Sequence, residues 1–131
     1  MSKILIVEDD SDSRAIYDEV FKDAGFEVNT AADGEEGLEK AKQGGYSVIL
    51  LDVMLPKLDG LGLLAALKKD PPIHKNGPII LLTNLSHDPV INEGLKLGAS
   101  SQITKSDITP DKLVEKVKGL INVSAGSGSG Q

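Results

Sequence analysis

A chain of 131 residues is the size of one globular domain and too short for two good cores. Hydrophobic residues make up 40% and charged residues 26%, a mixture that suits a soluble fold rather than a disordered or fibrous chain. Fourteen Lys and Arg against twenty Asp and Glu leave a net charge of −6, so the field that draws proteins onto phosphate backbones is missing and direct nucleic-acid binding is disfavoured. The absence of cysteine excludes disulfides, thiolate nucleophiles and cysteine-ligated zinc. No apolar run approaches the roughly 20 residues of a membrane helix, and no signal-peptide core opens the chain. A single soluble domain without a membrane role, cytoplasmic in location, is the expectation.

In chain order, Lys3 to Val7 is a short apolar run rich in β-branched residues that stops at Glu8-Asp9-Asp10. Ser13 to Ala24 follows as a helix, with Ile16, Val20 and Ala24 at four-residue spacing and Gly25 as its stop. Phe26 to Thr30 is a weaker, partly alternating strand, and the Asp33-Gly34 turn leads into a helix over Glu35 to Gln43 with Leu38 and Ala41 as its apolar positions. Ser47 to Leu51 is a second fully apolar strand and stops at Asp52. A Leu/Ala helix spans Leu61 to Lys69 and cannot pass Pro71-Pro72. Pro78 to Leu82 is a third apolar strand, stopping at Thr83.

Asp88-Pro89 reads as a cap followed by proline at the first helical position, opening a helix to Leu97 that offers Ile91 and Leu95 to the core. Its Val90 and Leu97 raise the expectation of an exposed apolar patch. Ser101 to Thr104 is a last short strand. Thr109-Pro110 repeats the helix start, with Leu113, Val117, Leu120 and Ile121 marking one buried face. Residues 1–122 are expected to form the domain and 123–131 a flexible Gly/Ser tail, a linker or a leftover of cloning.

Runs that are apolar at successive positions suit strands buried on both faces, and strand–helix alternation implies a parallel sheet with right-handed crossovers. The expected fold is α/β: a five-stranded parallel sheet, order 2-1-3-4-5, doubly wound and flavodoxin-like with five helices. In such a sheet the strand ends share one edge, where open parallel sheets bind ligands. Glu8 and Asp9, Asp52, Thr83 and Lys105 all stand at those ends. Crowded carboxylates need a cation, and an all-oxygen donor set favours Mg²⁺ or Mn²⁺ over zinc or copper. A carboxylate can attack a phosphoryl group once the charges are offset. Asp52, on the most apolar strand, is the candidate nucleophile; Glu8 and Asp9 would hold the metal, Thr83 donate to one phosphoryl oxygen and Lys105 pair with another.

At these residues the chain resembles the receiver domain of two-component response regulators, the family that includes the single-domain chemotaxis regulator. The matching pieces are Ile4 to Asp10 (ILIVEDD), Leu51 to Gly60 (LDVMLPKLDG), Leu81 to Thr83, Gly98-Ala99 and Thr104-Lys105. The resemblance implies that Asp52 takes a phosphoryl group from a partner histidine kinase, a phosphotransfer protein or a small phosphodonor. It implies that Asp9 and Asp52 ligate Mg²⁺ directly, together with the backbone carbonyl of Met54, while Glu8 acts through water. Thr83 and Lys105 match the phosphate-sensing hydroxyl and ammonium, and Pro56 and Gly60 the turn after the phosphoacceptor. Asp10 lies one position past the acidic pair and reads as a loop residue. The output is then an altered interaction with a downstream protein or an attached output domain, not substrate turnover.

Three positions depart from the pattern. Gln102 stands where an aromatic switch residue is usual, Ser106 where proline usually follows the lysine, and Asn84 where a small residue usually follows the threonine. Gln102 keeps open the alternative of a phosphorylation-independent interaction module. A phosphatase of the haloacid dehalogenase type is disfavoured because Met54, two residues after Asp52, has no proton to give. Flavin binding is disfavoured because the loop after the first strand is acidic. His74 and His87 read as surface residues, His87 close to Thr83 in sequence.

Overall fold

The structure, a computed structural model, describes residues 2–84 and 88–129. Strands and helices alternate throughout: β1 (Lys3–Val7), α1 (Ser11–Asp23), β2 (Glu27–Ala31), α2 (Gly34–Gln43), β3 (Val48–Leu51), α3 (Gly60–Lys69), β4 (Ile79–Thr83), α4 (Asp88–Lys96), β5 (Ser101–Thr104) and α5 (Pro110–Ser129), with a 3₁₀ turn over Lys105–Asp107. Every strand pairing is parallel and the order is β2-β1-β3-β4-β5, as expected.

Successive residues of a strand face opposite sides of a sheet. Ile4 and Ile6 of β1, Val48 and Leu50 of β3, and Ile80 and Leu82 of β4 accordingly join one core with α1 and α5. Leu5, Val7, Ile49, Leu51 and Leu81 join a second core with α2 and α3. The apolar runs are continuous because both faces are covered. α2 comes close to the sheet through Gly37, where a Cβ would lie 2.8 Å from Val7 Cγ1.

Two helices sit in a different rotation from the one expected. On α1 the buried side chains are Tyr17 and Phe21, while Ile16 is 47% exposed; Val20 and Ala24 flank the core. The two aromatic rings bury more apolar area than an Ile/Val stripe, and Phe21 also meets Phe26 edge to face at 5.3 Å. On α4, Val90 and Leu97 pack on the second core and Leu95 is exposed, the reverse of the expected assignment for Leu95. Gly94 is the buried position between them, under Leu81.

Helix starts follow the side chains at hand. Asp33 Oδ1 accepts from the Glu36 N–H at 2.8 Å, and Glu36 Oε1 accepts from Ala32 N–H at 2.9 Å, a reciprocal arrangement that opens α2. Those bonds hold both carboxyls below their usual range. α5 begins at Pro110 as expected and continues to Ser129, beyond the residue-122 end read from composition.

Phe21→Ala is expected to cost about 3–5 kcal/mol in urea unfolding, whereas Ile16→Ala costs under about 0.5 kcal/mol. Equal losses would return the core face of α1 to the Ile16 stripe.

Candidate functional site

The register of the sheet determines what meets at its C-terminal edge. Val7 is paired with Leu51, so Glu8 and Asp52, each the first residue past its strand, lie side by side. Asp52 N–H continues the ladder to Val7 O at 3.2 Å, and Glu8 N–H does the same to Ala31 O at 3.0 Å. Thr83 ends β4 and pairs with Thr104, which delivers Lys105 from the neighbouring strand. α3 begins hard against the end of β3: a Cβ on Gly60 would lie 2.5 Å from Asp52 O, which is why this position takes glycine.

Lys105 Nζ donates to Asp52 Oδ2 at 2.8 Å and is also ion-paired with Glu8 Oε1. The other oxygens of those carboxylates meet backbone N–H groups, Asp52 Oδ1 that of Met54 at 3.2 Å and Glu8 Oε2 that of Asp10 at 3.1 Å. Glu8 and Asp52 are buried, as is Thr83, while Asp9 is exposed. Asp52, Met54, Thr83, Asn84 and Lys105 line a cleft of about 230 Å³.

Burial alone would lower the Lys105 pKa. Its hydrogen bonds and attraction to Asp52 and Glu8 outweigh that and raise it above 10.5. Tyr17 lies within the field of the same groups; burial pushes its phenol up and Lys105 opposes it.

Carboxylate oxygens of Glu8, Asp9 and Asp52 lie within 4.8 Å of one another. Three acidic groups so close, two of them buried, form an all-oxygen donor set that fits a hard divalent cation, and Mg²⁺ in particular, which needs few protein ligands.

The family model described as response regulator receiver domain matches residues 4–118. The chain belongs to that family. It is the receiver domain of a two-component response regulator. It is 36% identical over 119 residues to the protein named probable transcriptional regulator ycf27 of Porphyridium aerugineum, and 35% identical over 120 residues to transcriptional regulatory protein SrrA of Staphylococcus aureus. Those matches cover 91% and 92% of this chain but 48% of each relative, so the chain spans about half the length of the curated relatives it matches. Among solved structures, the receiver domain of the Francisella response regulator 1452 superposes with a TM-score of 0.81 at 32% identity, covering 95% of this chain and 99% of that one. The Vibrio cholerae chemotaxis protein CheY4 gives 0.77 at 31% identity, covering 92% and 98%.

Within this receiver domain the structure brings together every side chain singled out from the sequence at the strand ends. Glu8, Asp9 and Asp52 cluster, and Lys105 bridges two of them. Met54 borders the same cleft and is 64% exposed. Gln102 is half-buried and donates from Nε2 to Thr104 Oγ1 at 2.9 Å. No peptide bond of the described residues is cis, Ser106 included. His74 is exposed and forms an isolated bridge with Gly44; His87 lies outside the described residues.

Two residues here were not singled out as contributing. Asp10 is more than a loop residue: its Oδ2 caps α1 by accepting from Ser13 N–H at 2.9 Å. Arg14, on the first turns of α1, donates from one guanidinium nitrogen to Glu8 O at 2.9 Å and Asp9 O at 3.2 Å, fixing the acidic loop by its backbone. The signal available for Arg14 was spacing, since a long cationic side chain one turn into a helix can fold back over the loop before it.

Lys105→Met is expected to lower stability by about 2 kcal/mol at pH 7 without added metal, because it strands two buried carboxylates. A folded pKa raised above 10.5 means that this contribution is complete below 10.5 and disappears as pH rises through the raised value. The gap between wild type and variant in denaturant midpoints therefore closes only at strongly alkaline pH. A gap that instead opened on going alkaline would contradict the ion-paired ammonium.

Proposed function

We propose that this receiver domain accepts a phosphoryl group on Asp52 in a Mg²⁺-dependent reaction, and that the modified domain changes its protein interactions. The observation that carries the reading is the buried Asp52 carboxylate held between the Lys105 ammonium at 2.8 Å and the Met54 N–H at 3.2 Å, beside two further carboxylates.

An Asp52 oxygen bonds to phosphorus while the bond from phosphorus to the donor breaks. With a histidine kinase or phosphotransfer protein the electron pair goes to the donor's imidazole nitrogen; with a small acyl phosphate it goes to the departing carboxylate. Asp9 and Asp52 would ligate the metal directly, the Met54 carbonyl would join them, and Glu8 would act through water. When bound, Mg²⁺ offsets and orients the phosphoryl oxygens. Lys105 exchanges its carboxylate partners for a phosphoryl oxygen, and the Thr83 hydroxyl donates to another.

The domain is consumed as a reactant and returns by losing phosphate, so its output is a state rather than a turned-over product. Relatives about twice as long, one of them named transcriptional regulatory protein, support an attached output segment as one recipient of that state. A net charge of −6 argues against direct contact of this chain with nucleic acid. The alternative, an interaction module that needs no phosphorylation, is favoured only by Gln102, tied to Thr104 where an aromatic switch is usual.

On incubation with an acyl phosphate and Mg²⁺, the intact mass of the wild type is expected to rise by one phosphoryl group and that of Asp52→Asn to stay unchanged. An unmodified wild type would leave the interaction module as the better reading. Mg²⁺ alone is expected to raise the thermal midpoint of the wild type and not that of Asp9→Asn. Without metal, Asp9→Asn is expected to be slightly the more stable protein, since it removes a like charge at an exposed position beside two buried carboxylates. A destabilised Asp9→Asn in metal-free buffer would argue against crowding of the three carboxylates.

A further inference from the structure

Two positions at which this chain departs from the common receiver pattern touch each other. The backbone N–H of Ser106, which stands where proline is usual, donates to Oδ1 of Asn84, which stands where a small residue is usual, at 2.9 Å. Proline has no N–H to give and a small apolar side chain has no oxygen to receive it, so neither departure makes this bond alone. The contact joins the residue after Thr83 to the residue after Lys105, across 22 positions of sequence.

The bond also determines which way the amide faces. A backbone N–H only donates, so the atom opposite it is oxygen, and the amide nitrogen with its two N–H donors takes the other side. Among the described residues that nitrogen has no acceptor. Asn84 lines the cleft together with Asp52, Met54, Thr83 and Lys105, whereas Ser106 does not. The oxygen is thus drawn toward the β5 side and the donor end is left for the cleft.

We propose that Asn84, oriented by the Ser106 N–H, donates to a phosphoryl oxygen on Asp52 and prolongs the life of the aspartyl phosphate; this rests on Asp52 being the phosphoacceptor. In spontaneous loss, a water oxygen bonds to phosphorus as the bond between phosphorus and the Asp52 oxygen breaks. The electron pair returns to the carboxylate, and the water's proton leaves with phosphate or solvent. A side chain hastens this by accepting a hydrogen from the water and aligning its lone pair on phosphorus. The acceptor of Asn84 is engaged by Ser106. What it presents to the cleft is an N–H, which holds a phosphoryl oxygen or ties up a water lone pair, and its bulk narrows the approach. Each effect slows hydrolysis. Ser106 is a positioning residue that acts through its backbone.

The test follows the decay of phosphorylated protein by intact mass, after removal of the acyl phosphate and at fixed Mg²⁺. Asn84→Ala is expected to shorten the lifetime about five-fold, the worth of one ordinary hydrogen bond. Asn84→Asp keeps an acceptor for Ser106 but offers the cleft an oxygen, and shortens it at least as much. Ser106→Pro removes the N–H and shortens it, whereas Ser106→Ala retains the N–H and the wild-type lifetime. Thermal midpoints of the four variants distinguish these effects from a disturbed fold. A wild type that gains mass while Asn84→Ala decays at the same rate or more slowly overturns this inference and leaves Asp52 as phosphoacceptor; a wild type that gains no mass overturns both.

Discussion

Two carboxylates in near-complete burial, with one ammonium between them, are the constraint on which this receiver domain turns. Glu8 and Asp52 are 2% and 7% exposed, and two carboxylates that close in a poorly solvated setting repel each other unless a cation lies between them. Lys105 is that cation, and it is itself raised in pKa by the same two groups. Its delivery depends on the far strand: β4 and β5 must pair with Thr83 opposite Thr104, or the ammonium lands on another rung. A shift of one residue in a parallel pair would also turn the slipped strand's side chains toward the opposite core, so the packing of the two cores and the charge cluster enforce one register together.

The division of labour follows from where a sheet's hydrogen bonding ends. Inside the central strands β1, β3 and β4 the backbone is paired on both sides and the apolar side chains go to one of two cores, leaving little for chemistry. One residue beyond, at Glu8, Asp52 and Lys105, side chains are free to converge. The loops there are fixed by local bonds rather than by burial: Asp10 caps α1, Asp59 caps α3 through the Gly62 N–H, and Arg14 holds the carbonyls of Glu8 and Asp9. The apolar strands beneath that edge are what hold three acidic groups so close together.

The strands and their order were legible because continuous apolar runs broken by polar residues have few readings in an alternating chain, and the site followed from placing those polar residues on one edge. Helix rotation was not. Four-residue spacing on α1 fits the Ile16 stripe and the Tyr17–Phe21 stripe equally, and only the volume available under β1 and α5 selects the aromatic pair. Leu95 on α4 was misplaced for the same reason: a short helix with apolar residues all round carries no phase. Arg14 was hidden because its target is backbone, which sequence does not display. The contact between Asn84 and Ser106 was visible only as two separate oddities until the β4–β5 pairing set them side by side.

That same pairing bears on how far a change at the edge can travel. Gln102 and Thr104 are two apart on β5 and therefore share a face, and the bond from Gln102 Nε2 to Thr104 Oγ1 runs along the strand rather than across it. Thr104 sits opposite Thr83, so the edge and Gln102 are separated by one ladder step and one side-chain hydrogen bond. An aromatic at this place would report by swinging between a buried and an exposed rotamer, a change measured in apolar area. A tethered amide has no such area to gain. Breaking its bond is worth about 1 kcal/mol, roughly a five-fold shift between two states. Any larger response must draw on a partner that binds one state better than the other, since differential affinity is what moves such an equilibrium.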